Sequence, residues 1–195
     1  MHATLIERRP PWVVVAGRDD PWVTAETAEL RARGGHVFRL DGRQLSSPAA
    51  VFTAFADELC FPSYFGRNWD ALADCLHDRH FRGGGPEGTA VLIDHADAML
   101  SADFLGLFVS VLCQAAWQAN LRLDADGMPQ DLPAFALHFV LLLDDTPPAA
   151  FGPAVASGMD VRVARDGERL TATLTDEDWP VRRVPSPGPP PAPPR

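Results

Sequence analysis

The sequence predicts an α/β domain with a mostly parallel sheet. Two observations lead there. Short apolar runs, "WVVVAG" (12–17), "TAVLIDH" (89–95) and "FALHFVLLLDD" (135–145), read as buried strands. The elements also follow the order strand–helix–strand–helix–helix–strand–helix–strand, which suits parallel strands joined by helical crossovers.

Each element has a local reason. After the first strand, "PWVTAETAELRARGG" reads as a helix, with Thr24 as its cap and Gly34 as its stop. "HVFRLDG" (36–42) alternates and ends in Asp-Gly, the mark of a strand and turn. Ser47 and Pro48 open a helix to about Leu59, with Val51, Phe52, Phe55 and Leu59 on one face. "FPSYFG" is a loop of aromatics and turn residues, and a further helix runs from about Asn68 to Asp78. "HFRGGGPEG" (80–88) reads as a flexible connector, since a phosphate-cradling loop needs a preceding strand and a following Lys-Ser/Thr.

"SADFLGLFVSVLCQAAWQAN" (101–120) is a long, mostly buried helix with Ser101 as its expected cap. "MDVRVARDGERLTATLT" (159–175) alternates on both sides of Asp166-Gly167, a hairpin signal. "VPSPGPPPAPPR" (184–195) is a proline-rich tail suited to solvent.

Composition narrows the function. The formal net charge of −9 argues against a direct nucleic-acid ligand and for a basic partner. All 17 basic residues are arginines, which removes Schiff-base lysines and the P-loop lysine. Cys60, Cys75 and Cys113 are an odd count in apolar helical contexts, expected as buried free thiols in a reducing compartment. The apolar run after Arg8 and Arg9 is too short for a signal-peptide core, and no stretch approaches a membrane span. The expectation is a cytoplasmic protein without membrane contact.

The chemistry-bearing feature is the helix from Asn68. Asp70, Asp74 and Asp78 recur every four residues and therefore stack on one face. Like charges so placed cost an isolated helix roughly 0.2–0.5 kcal/mol per pair. Asp78 also falls near the C-terminus, where the helix dipole disfavours anions. Trp69, Leu72, Ala73 and Leu76 form the opposite, apolar face.

Three readings of the column stay open on the residues alone. It is a solvated face with Arg67 and Arg82 as counterions, a magnesium site of paired aspartates, or an acidic patch for a cationic partner. Asp94, Asp144 and Asp145 sit at strand ends, where parallel sheets bind ligands, though acids there also cap turns. His77, His80 and His95 lack metal-ligand spacing, and no Ser or Cys lies in a nucleophile elbow. No cofactor, metal or catalytic set is implied.

"FPSYFGRNWDALADCL" resembles the signature of the barstar family, intracellular inhibitors of barnase-type ribonucleases. The element order over about residues 36–145 is similar too. The resemblance implies a three-stranded parallel sheet packed with helices, here extended by an N-terminal strand–helix unit and a C-terminal hairpin. It implies an inhibitor, not an enzyme, whose acidic helix and preceding loop plug a basic ribonuclease and protect the producer from its own toxin. It carries the carboxylate role to Asp70 and Asp74. Tyr64, Phe65, Gly66, Arg67 and Asn68 fall in the matching loop and Ala73 on the matching helix. A barstar-like module binding another cationic protein is the alternative.

Two departures bear on the partner's identity. Ala73 stands where the best-known member has tryptophan, and Gln114 or Ala115 stands near an interface glutamate. The expected organisation is an extension of the sheet over 1–35, the barstar-like domain over 36–146, a further extension with a hairpin over 147–183, and a disordered tail over 184–195.

Overall fold

A computed structural model describes residues 3–78, 88–123, 128, 133–158 and 160–175. The glycine-rich connector as far as residue 87, Arg82, His80 and the proline-rich tail lie outside the described residues.

Among the described residues, six strands form one sheet in the order β2-β3-β4-β1-β6-β5. They are β1 (Val13–Gly17), β2 (His36–Asp41), β3 (Thr89–Asp94), β4 (Leu137–Leu143), β5 (Val161–Asp166) and β6 (Arg169–Leu174). The first four positions are parallel, so β2, β3 and β4 make the expected three-stranded core. β1 extends it alongside β4, pairing Val13 with Phe139 and Gly17 with Leu143. β6 then runs antiparallel to β1, and the hairpin closes through Gly167 and Glu168.

Alternation along β1 shows why its valine run is buried. Val13 and Val15 enter the larger core, while Val14 and Ala16 enter a smaller one on the other face. α1 (Pro21–Ala32) covers the smaller core through Val23 and Leu30. α2 (Pro48–Leu59), α3 (Trp69–His77) and α4 (Leu105–Leu121) cover the larger one. The β2-to-β3 and β3-to-β4 crossovers move one way across the sheet, and the β1-to-β2 crossover moves back. Right-handed crossovers must therefore put α1 alone on the opposite face, as observed. α5 (Gly152–Ala156) joins the larger core through Val155.

Helix starts follow short-range chemistry with two corrections. Ser47 caps α2 as expected, its side chain accepting from the Ala50 N–H at 3.3 Å. Gly34 ends α1 at φ 84°, a conformation glycine adopts without a Cβ penalty. The cap of α1, however, is Asp20 and not Thr24. Pro21 starts the helix, and the Asp20 carboxylate accepts from the Trp22 N–H at 2.9 Å. Ser101 does not cap α4 either. The chain coils through short turns, and α4 starts behind Phe104, which is buried against Trp69. Here aromatic burial, not a polar cap, sets the start. Gly106 inside α4 lets residues 157–158 approach, because an added Cβ would lie 2.8 Å from the Gly158 nitrogen.

The cysteine expectation holds for two of three. Cys75 and Cys113 are buried free thiols. Cys60 is exposed, because it forms the left-handed end of α2 at φ 54°.

Candidate functional site

The loop before α3 is built from aromatic contacts. Phe61 packs on Phe65 with ring centres 5.1 Å apart, and Phe65 meets the edge of Phe52. Phe52 also meets Trp69 at 4.8 Å, and Trp69 reaches Phe104 and Phe108 on α4. The loop is thus pinned to α2, and the first residue of α3 is pinned to α4. Tyr64 points the other way and is 71% exposed. Gly66 sits close to the helix start: a Cβ there would come within 3.3 Å of the Ala71 Cβ. Asn68 caps α3, its side-chain oxygen accepting from the Ala71 N–H at 2.8 Å.

α3 buries Leu72, Ala73, Cys75, Leu76 and His77 and exposes Asp70 and Asp74. Ala73, placed at the partner surface by the resemblance, is 5% exposed and packs in the larger core. Burial pushes the Cys75 thiol up to about 11, with the charges of Asp74 and Asp78 adding to it. That thiol is not poised for chemistry.

The aspartate column divides in two. Asp70 and Asp74 make no hydrogen bond or ion pair among the described residues. Arg67, one expected counterion, turns away: its Nη1 donates to the Thr53 hydroxyl at 2.9 Å. Asp78 is different. It lies 3.2 Å from His77 Nε2 and 3.7 Å from the Nη2 of Arg122. Arg122 is 5% exposed, and its Nη1 donates to the His77 carbonyl at 2.9 Å. A cation therefore sits on the last carbonyls of α3, offsetting the dipole's effect on Asp78. α3 is held at both ends while two of its carboxylates stay in solvent.

Of the strand-end acids, Asp94 and Asp144 are paired, while Asp145 is exposed with no ion pair among the described residues. Asp94 accepts two bonds from Arg39, at 2.9 and 2.5 Å. Asp144 takes Arg18 at 3.1 Å and His95 Nδ1 at 2.6 Å. Asp41 pairs with Arg43, and that hydrogen bond is the main reason its carboxyl sits below the usual range. Asp97 was not singled out from the sequence, yet its carboxyl is held well below the usual range. Burial pushes its carboxyl up, but bonds from the Thr146 side chain and from the backbone N–H groups of Asp144 and Thr146 outweigh this, and it settles at about 2. A pair of amides in a folded loop leaves no signal in sequence spacing.

Among the described residues, no group of three or more His, Cys, Asp or Glu side chains is arranged to hold a metal ion. No helix among them is long and apolar enough to cross a membrane. Compared with known proteins, residues 35–126 match the family described as Barstar (barnase inhibitor). No curated protein matches the chain. The matched stretch runs from the start of β2 through α4 and contains the whole of the loop and α3. The capped acidic helix and the family match agree, and over residues 35–126 the chain is similar to the barstar family.

Proposed function

We propose that the chain is a non-enzymatic inhibitor that blocks the active site of a basic, barnase-type ribonuclease with α3 and the loop before it. One observation supports this reading: Asp70 and Asp74 stand exposed, with no ion pair among the described residues, on a helix fixed at both ends. A nuclease that binds RNA phosphates presents arginine, lysine and histidine side chains. Those cations would relieve the repulsion between the two carboxylates, so strain in the free protein adds to the gain on binding. The exposed Tyr64 and the backbone around Gly66 and Arg67 would form the rim, with Asn68 holding the first turn. Ala73 adds no surface of its own.

A second reading has one observation in its favour. Gln114 is exposed on α4, so that helix offers the partner a neutral group where the family's best-known member offers an acid. A cationic protein that is not a nuclease would meet the same two aspartates. Inhibition assays against a panel of microbial guanyl-preferring ribonucleases separate the readings. Stoichiometric inhibition of one of them is the expected result. Binding of a basic protein without inhibition of any nuclease would favour the second reading.

A further inference from the structure

Residues 3–11 precede β1 and lie against the face of the sheet that α1 covers. Ala3 and Leu5 are buried there in the smaller core with Val14, Val140 and Leu142. The segment forms no strand. Among the described residues, four side chains make its polar contacts with the rest of the fold, and three of the four titrate. Trp22 Nε1 donates to the Ala3 carbonyl at 2.9 Å, and the Asp166 carboxylate accepts from the Ala3 N–H at 3.1 Å. Glu26 accepts from the Thr4 hydroxyl at 2.9 Å and from the Leu5 N–H at 2.8 Å. His138 meets the Glu7 carbonyl through Nε2 at 2.9 Å and the Pro11 carbonyl through Nδ1 at 3.1 Å. A backbone ladder would hold such a segment at any pH, whereas these contacts answer to protons.

His138 is the mismatched member of the set. It is fully buried on β4, beside the Trp12 ring and opposite Ala90 of β3, neither of which carries charge. A neutral imidazole has one N–H, yet both of its nitrogens face carbonyl oxygens, which only accept. One carbonyl therefore meets a ring lone pair. A second proton would match both carbonyls but would bury a charge. Two charged side chains act on the ring in opposite senses: Glu26 of α1 favours the charged form, and Arg9 of the segment, itself paired with Glu7, opposes it. Burial outweighs the two carbonyls and pushes the imidazole below its usual range. Once the segment lifts and water reaches the ring, the proton binds more readily. Opening that takes up a proton is favoured as pH falls. The closed form is thus fully favoured above the ordinary histidine value of about 6.5 and loses up to about tenfold per pH unit below it.

We propose that residues 3–11 are an acid-released strap: protonation of His138 lifts them from the sheet and uncovers the smaller core while the strands stay paired. Strap and His138 both lie outside residues 35–126, and the device does not rest on the reading of α3. Amide hydrogen exchange of the full chain between pH 7.5 and 5.5, corrected for the intrinsic pH dependence of exchange, tests it. The proteins compared are the wild type and His138→Gln, whose side chain still donates to a carbonyl but does not titrate. The open population at residues 4–9 should rise at least about fivefold in the wild type and less than about twofold in His138→Gln, with the amides of β3 and β4 still protected. At lower pH the wild-type His138 ring resonances should show the proton arriving as the strap opens, before β3 and β4 lose protection. That measurement decides the matter if His138→Gln does not fold. The proposal is overturned if strap exchange ignores pH, or if His138→Gln keeps the full response, which would assign it to Glu26 or Asp166. It is equally overturned if β3 and β4 open together with the strap, or if the ring is protonated while the strap stays closed.

Discussion

On α3, Asp70 and Asp74 face solvent with no cation paired to them among the described residues, whereas at the C-terminal edge of the sheet Asp41, Asp94 and Asp144 each hold an arginine. The residue type is the same and the net charge of the molecule is shared. What differs is whether an arginine is close enough to answer each carboxylate. Arg18 and Arg43 sit just beyond strand ends and Arg39 lies two residues before the end of β2, so these three acids are answered from the strands themselves. Arg67 lies one turn before Asp70 but bonds Thr53 instead. Two aspartates one turn apart are thus left without an ion pair among the described residues, on a helix held at both ends. Acids already paired gain little from a partner, and unpaired ones on a rigid frame gain much.

The harshest way to break the contrast is to delete residues 1–35. This removes β1, which pairs with both β4 and β6, and takes Arg18 away from Asp144. About twenty residues of strand and helix cannot bury a core alone, but their loss uncovers Val140 and Leu142, which are at most 1% exposed. The truncated chain should lose solubility or cooperative melting. An unchanged melting temperature would mean the parallel core stands without β1.

Next in size is Arg122→Ala, which removes the cation from the C-terminus of α3. Breaking a buried, hydrogen-bonded charge typically costs about 3–5 kcal/mol; half-exposed Asp78 places this one toward the lower end. Chemical denaturation should show the loss. A change under 1 kcal/mol would remove Arg122 from the account of how α3 is fixed.

A smaller effect concerns acid. The Asp97 carboxyl, at about 2, lies below its ordinary value near 4. A depressed folded value contributes stability that is present above pH ~4 and is lost as pH falls towards ~2. Asp97→Asn should flatten that part of the stability-versus-pH curve. An acid limb identical to the wild type would contradict the assignment.

The mildest test is Arg39→Ala. The Arg39 side chain is 49% exposed, so its pair with Asp94 should be worth no more than about 1 kcal/mol. A larger loss would show that the sheet edge depends on its ion pairs.

Much of the frame was legible because its signals are local. Ser47-Pro48, Asn68, Gly34 and the alternation around Asp166-Gly167 each mark a boundary through their own chemistry, and each boundary lies there. Where two local signals competed, the spacing misled: Thr24 is a good cap residue, but Pro21 takes the first helical position and hands the cap to Asp20. Ser101 lost to the burial of Phe104, which depends on Trp69 more than thirty residues earlier. Cys60 reads as apolar helix, yet the helix ends on it.

The candidate site was legible as a column, because a spacing of four is a property of the helix itself. That Asp78 would be tied down while Asp70 and Asp74 were not depends on Arg122, at the far end of another helix. The arginine partners of the strand-end acids were hidden for the same reason, since Arg39 and Asp94 are 55 residues apart.

The central claim is that the exposed carboxylates of α3, Asp70 and Asp74, bind a cationic active site. The most direct measurement compares wild type with Asp74→Ala for affinity toward a ribonuclease that the wild type inhibits, alongside the melting temperature of each free protein. The account predicts weakening of at least about 2 kcal/mol, roughly thirtyfold, because the partner's cation is left desolvated and unpaired. It predicts a free protein as stable as before or slightly more so, since one of two repelling neighbours is gone. Unfolding of Asp74→Ala, or an affinity indifferent to both Asp70 and Asp74, would contradict it.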